Sequence, residues 1–309
     1  MKVVFHIGYH KTGTTWLQQV FFPAHPYIHP LCNSREPWND LLLNALIATP
    51  DGKFDAGHCT KLIREKISSI KNYKDNHAMM ISAERLSGHP YSGGYDSFRI
   101  AERIMACWKK SYIICTIRNQ PDIISSIYNQ LIKEGFPGRL EKMFGVRNWD
   151  IPGFNLAFYE YDLLLNRYQT LFGRDRICIL PYELMSSNLQ EFLKKICEFL
   201  DVPEISVPSN RISNSGLPNR GLSLFRIMNY FRLSEFNQFP IISINEQVFQ
   251  FVRKILWKLL RGLPDSNSPL NDTLRTWIIN YYRESNTRLQ KIVNWNLDDF
   301  KWNGVDQTR

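Results

Sequence analysis

Between two predicted elements the chain reads Ile7-Gly8-Tyr9-His10-Lys11-Thr12-Gly13-Thr14-Thr15-Trp16. An apolar run, Val3 to Gly8, leads into it as a predicted strand, and a helical pattern, Thr14–Phe22, follows. A strand that enters a helix through a glycine-containing loop points backbone N–H groups and a positive helix end at an anion. Gly8 and Gly13 have the spacing G-x-x-x-x-G, and Thr14 and Thr15 bring hydroxyls to the first turn. A nucleoside triphosphatase would follow the second glycine with Lys and then Ser or Thr. Here Thr14 takes that Lys position and the cation lies inside the loop, at Lys11. The strand Tyr112–Ile117 ends in Arg118, where a Mg²⁺-dependent phosphoryl transferase often has Asp. The loop therefore suits phosphate-like groups without visible metal machinery. Transfer of a sulfuryl group, which carries less charge than a terminal phosphoryl, would need only Lys11 and the helix-end donors on the leaving oxygen.

Such a transfer also needs a base for the acceptor's proton. The strand Ala78–Ser82 runs on into Ala83-Glu84-Arg85. Glu84 is thus at the carboxyl end of a parallel strand, where open α/β sheets bind ligands, and is the first candidate. Its plainer role would be an ion pair with Arg85 or Arg118. His10 and His89 are the reserves. The acceptor side is less legible. Arg139, Lys142, Arg147 and Trp149 crowd the segment Gly135–Asn155, and Tyr91 and Tyr95 follow the strand. Cations beside aromatics suit a sugar, or make an ordinary surface.

These residues need a scaffold. Apolar runs at Val3–Gly8, Ala78–Ser82, Tyr112–Ile117 and Arg176–Leu180 lack alternation, as strands buried on both faces do. Helical patterns separate them: Thr14–Phe22, Lys61–Ile70, Phe98–Trp108, Ile123–Lys133, Phe158–Phe172 and Leu189–Leu200. The fold class is α/β, a parallel central sheet flanked by helices. Residues 1–203 form the core, and 204–309 a helical extension of the same single domain, with helices at Gly221–Phe231, Glu246–Arg261 and Leu270–Val293. In Glu246–Arg261, Val248, Phe251, Val252, Ile255, Leu256, Leu259 and Leu260 make one apolar stripe with basic residues off it. The expectation is packed core under a solvated basic face; peripheral contact with an anionic membrane is the alternative.

The chain has 309 residues, 44% hydrophobic, and a net charge of +9, which points to an anionic partner. The six cysteines have no zinc spacing and read as buried, reduced thiols of a cytoplasmic protein. No apolar run is long enough for a spanning helix.

Tyr9 to Trp16 resembles the 5′-phosphosulfate loop of the sulfotransferases that use 3′-phosphoadenosine 5′-phosphosulfate (PAPS), Y-P-K-S-G-T-T-W, departing at His10 and Thr12. The H-K-T-G-T-T form is similar to bacterial members. Arg118-Asn119-Gln120-Pro121 through Ser126 resembles the family's 3′-phosphate block, R-N-P-x-x-x-x-x-S, with the proline displaced by one position. Leu180-Pro181-Tyr182-Glu183-Leu184 resembles its Y-E-D-L segment, a structural block. The resemblance implies a P-loop-like sulfotransferase fold, with PAPS as donor, its product 3′-phosphoadenosine 5′-phosphate (PAP), and no metal. It implies that His10, Lys11, Thr12, Gly13, Thr14, Thr15, Trp16, Arg118 and Ser126 bind the nucleotide, and that Lys11 assists its departure. Arg211 to Gly216, with Asn214, would close over the adenine or the 3′-phosphate. Glycan-modifying relatives use a glutamate base, which supports Glu84. The acceptor would offer a hydroxyl or amine on a carbohydrate or small metabolite, with no nucleic acid involved. The alternatives are an atypical P-loop kinase or NTPase, and a non-catalytic protein that binds anionic ligands.

Overall fold

Strands that are apolar along their whole length can be covered on both faces, and here they form one parallel sheet. The computed structural model describes residues 1–33, 40–71, 73–144, 153–207, 219–242, 244–260 and 269–302. The five strands are β1 (Lys2–His6), β2 (Ile28–Asn33), β3 (Ala78–Ser82), β4 (Tyr112–Ile117) and β5 (Ile177–Pro181), in the order β2-β3-β1-β4-β5. β1 lies between β3 and β4, pairing Val4 with Met80 on one side and Tyr112 on the other. The loops after β1, β3 and β4 therefore leave from one edge of the sheet, at the point where strand order reverses.

The helices are α1 (Thr14–Trp16), α2 (Phe22–Ala24), α3 (Leu41–Ile47), α4 (Ala56–Ser68), α5 (Ser97–Cys107), α6 (Gln120–Glu134), α7 (Tyr161–Phe172), α8 (Tyr182–Ser187), α9 (Leu189–Leu200), α10 (Asn219–Asn229), α11 (Glu246–Leu260) and α12 (Asp272–Gln290). α1 and α2 are joined without a break by a π-helical stretch, Leu17–Phe21. β2, α3 and α8 are additions to the elements expected from sequence. β2 contains Pro30 and a register shift between Pro30 and Cys32, both tolerable because the strand is at a sheet edge. Its short polar-interrupted sequence gives no apolar run to detect.

The chain divides into two compact units. One comprises Met1–Asn119, Leu156–Ile212 and Arg283–Arg309; the other comprises Gln120–Asn155 and Ser213–Tyr282. The segment after residue 203 is thus shared by both. In the first unit, Trp16, Leu17, Phe21 and Phe22 pack with Val4, Met80, Ile114 and Leu180 of the sheet and with Phe192, Ile196 and Leu200 of α9. The last described residues return to this core. Trp302 is fully buried, and the Trp295 indole donates to the Ile179 carbonyl of β5 at 3.0 Å.

In the second unit, α10 and α11 close the carboxyl end of α6. Buried Asn229 donates to the carbonyls of Ile132 (2.8 Å) and Phe136 (3.0 Å), while Arg232 and Arg253 both donate to that of Lys133, at 3.2 and 3.1 Å. The expected packing of α11 is corrected here. Phe249 is its buried residue, whereas Val248, Phe251, Val252, Ile255 and Leu259 face outward, with Phe251 64% and Leu259 67% exposed. The inward face contains Phe249, Arg253 and Trp257, a second stripe that satisfies the helix's contacts and leaves the more apolar one in solvent. Among the described residues no helix is long and apolar enough to cross a membrane.

Candidate active site

β1 pairs with β4 beyond its own end. Ile7 N–H donates to the Ile114 carbonyl at 2.9 Å and Tyr9 N–H to that of Thr116 at 3.0 Å, which carries the chain to the mouth of the loop. The loop then turns sharply. Lys11 has φ 67° and Gly13 φ 82°, both left-handed. A lysine in that region is uncommon and costs backbone energy, which functional sites tolerate. Thr12 is fully buried and its hydroxyl donates to the Tyr9 carbonyl at 2.6 Å and meets the Thr116 hydroxyl at 2.7 Å. Its side chain braces the loop from below. A Cβ at Gly8 would come within 2.6 Å of Thr14 Cγ2, so only glycine lets the strand pass under the helix start. Among the described residues, the amides of Gly13, Thr14 and Thr15 donate to no backbone carbonyl. They are the orphan donors of a helix beginning, and Thr15 beside them is exposed. Trp16 is turned the other way, into the core.

Glu84 stands just beyond β3, on the same sheet edge. It accepts a hydrogen bond from the Thr14 hydroxyl, which ties it to the first turn of α1. Burial raises its carboxyl above the ordinary 4.5, opposed by the Thr14 hydrogen bond and the Lys11 charge. His10 Nε2 lies 3.7 Å from Glu84 Oε2. Burial, reinforced by Arg85 and Lys11, lowers that imidazole to about 3, so it is neutral and makes no ion pair near pH 7. His89 packs edge-on against His10, with ring centres 5.2 Å apart. It too is lowered to about 3, chiefly by burial, and its Nδ1 accepts the Tyr91 N–H at 3.2 Å. Among the described residues neither Arg85 nor Arg118 forms an ion pair with Glu84. Arg85 forms a two-pronged pair with buried Asp96, and Arg118 is engaged elsewhere.

Arg118, at the end of β4, donates to the Lys11 carbonyl at 3.2 Å, with its guanidinium 4.7 Å from the centre of the Tyr182 ring. The two nucleotide-type blocks of the sequence are therefore physically joined. A model described as the sulfotransferase family matches residues 4–206 of this chain. The chain belongs to the sulfotransferase family. Among solved structures it is similar to a sulfotransferase from Alicyclobacillus acidocaldarius, at 15% identity and TM-score 0.57, over 98% of each chain, a likeness of fold. It is more loosely similar to mouse sulfotransferase SULT7A1 complexed with PAP, at 14% identity and TM-score 0.37, over 97% of this chain and 87% of that one. No curated protein is significantly similar to it in sequence.

The sulfotransferase uses α8 as a clasp that the sequence marks only as structural. Tyr182 lies against Arg118, Glu183 accepts the Asn119 N–H at 2.8 Å, and Met185 covers Gly13 so closely that a Cβ there would meet its sulfur at 2.5 Å. Tyr182 and Met185 thus border Arg118 and Gly13, a contact that only their proximity in the fold identifies. Ser126 is half-buried on α6, in the second unit. Arg139 and Lys142 are exposed in that same unit, and Tyr95 is exposed with Arg99 over its ring at 6.0 Å. Arg147, Trp149, Arg211 and Asn214 lie outside the described residues. Among the described residues no group of three His, Cys, Asp or Glu side chains converges as metal ligands would.

Proposed function

We propose that this sulfotransferase moves the sulfuryl group of PAPS to a hydroxyl or amine of an acceptor, a carbohydrate or a small hydroxylated metabolite. The observation that supports it is the meeting of a cation and a base at one sheet edge: Lys11, whose charge acts on Glu84, and Glu84, bound through Thr14 to the start of α1.

The loop fits a phosphosulfate. Among the described residues its helix-end amides donate to no backbone carbonyl, Gly8 lets the strand pass close under the helix start, and Lys11 is the loop's cation. When bound, PAPS supplies an activated sulfuryl group on a nucleotide leaving group. The amides of Gly13, Thr14 and Thr15 with the Thr15 hydroxyl would hold the anion, and Arg118, kept in place by Tyr182 and the Lys11 carbonyl, would pair with the 3′-phosphate. Glu84 removes the acceptor's proton as the acceptor atom bonds to sulfur. Lys11 would neutralise the negative charge left on the nucleotide oxygen as the old S–O bond breaks. The neutral imidazoles of His10 and His89 wall the base without competing for its proton.

Calorimetric titration with PAP, beside ATP–Mg²⁺, tests the reading. Metal-free PAP should bind at micromolar concentration or tighter, and far better than ATP–Mg²⁺. Arg118→Ala should lose about 1.5–3 kcal/mol of PAP binding, as a charged hydrogen bond does. Tighter ATP–Mg²⁺ binding, or no binding of either, overturns it.

A further inference from the structure

Sulfuryl transfer leaves the outer surface of the second unit unexplained. On α11, Val248, Phe251, Val252, Ile255 and Leu259 recur at i, i+3, i+4, i+7 and i+11, which is one face of a helix, and all are exposed. The segment before α11 adds Phe239, 90% exposed, with Ile241 and Ile242. These side chains are held out by a fixed backbone, because Ile241 N–H donates to the Tyr230 carbonyl at 3.0 Å and Ile244 N–H to that of Phe231 at 3.1 Å. Scattered exposed apolar residues need no account, but a contiguous face of this size does.

Charge identifies what covers it. Lys254 and Lys258, one turn apart, flank the stripe and enter no ion pair among the described residues. Of the six Arg and Lys from Asn219 to Leu260, Arg232 and Arg253 donate inward to the Lys133 carbonyl and Arg232 takes up Glu246 at 3.0 Å, which leaves Lys254 and Lys258 as the exposed cations of α11. Beside the stripe opens a cavity of about 590 Å³, lined by Phe225, Ile255 and Trp257 and by Lys133, Arg253 and Lys258. A second copy of the chain would bring this basic surface against itself. We propose that this face docks on an anionic lipid bilayer, with the apolar stripe entering the acyl boundary and the lysines at the acidic headgroups.

The proposal stands apart from the donor reading and is tested without it. The full chain is floated with vesicles of phosphatidylcholine, alone or with added phosphatidylglycerol, while sedimentation velocity reports its oligomeric state. Partition onto the anionic vesicles should exceed that onto neutral ones by about tenfold or more and fall with salt. Lys254→Glu with Lys258→Glu should lower it about tenfold, and Phe251→Glu with Ile255→Glu should abolish it, both at unchanged PAP binding. Leu259→Glu, at an exposed position, serves if the double variant does not fold, and should weaken binding severalfold. Absence of vesicle binding overturns the proposal, as does binding indifferent to every substitution. A dimer that Phe251→Glu dissociates, in a chain that ignores vesicles, also overturns it and assigns the face to self-association.

Discussion

At the level of single residues, the site's chemistry rests on how burial sorts three titratable groups. It lifts Glu84 and lowers His10 and His89 to about 3. A base with a raised pKa loses activity on the acid side at a higher pH than an ordinary carboxylate would. The acid limb of kcat/KM should therefore lie above 4.5, with activity falling as pH drops and Glu84 gains its proton. The histidines, neutral well below that limb, should add no further step near pH 6–7. Glu84→Gln should lower kcat by about 10²–10⁴-fold while PAP binding persists. A full-strength acid limb in the Gln variant would assign the titration to another group. His10 also shows what a local departure from the resembling motif does. Where the Y-P-K-S-G-T-T-W form has proline, this chain has an imidazole 3.7 Å from Glu84 Oε2.

Elements explain why some of the site can be read from sequence and some cannot. The loop from Gly8 to Thr15 is legible because its chemistry is local: glycines, a lysine and hydroxyls in one short run between a strand and a helix. Gly8→Ala should test that linkage, since a Cβ 2.6 Å from Thr14 Cγ2 must push the strand and helix apart. The expected cost is about 1–3 kcal/mol in urea unfolding, with weakened PAP binding. The clasp made by α8 was not legible, because Tyr182 reaches Arg118 and Met185 reaches Gly13 across the strand order and not along the chain. α3 is illegible in the sequence for another reason. It has seven residues, too few for a periodic signal, and depends on its ends: Asp40 accepts from the Leu42 and Leu43 amides, and Arg103 donates to the Leu46 carbonyl. The α11 stripe is legible as a pattern but not as a packing. Periodicity says which residues share a face; it does not say which face turns inward.

At the scale of the molecule, the last described residues matter to the first unit. Trp302 is fully buried against Tyr161 and Trp295, and the neighbouring Lys301 carbonyl accepts from Asn119, the residue after Arg118. Trp302→Ala should cost about 3–5 kcal/mol by denaturant midpoint and loosen PAP binding, because the cavity opens behind the end of β4. A stability loss with unchanged PAP affinity would separate this tail from the site. The position of β1 has a kinetic consequence. It is the first of the five strands in chain order and the central one in the sheet, yet its partners β3 and β4 begin at Ala78 and Tyr112. Until the growing chain reaches them, Val3, Val4 and Phe5 have no native strand beside them. Long-range parallel pairing of this kind folds slowly and exposes sticky edges meanwhile. Newly made chains should therefore pass through a chaperone-dependent interval that closes only after the Arg118 end of β4 has emerged.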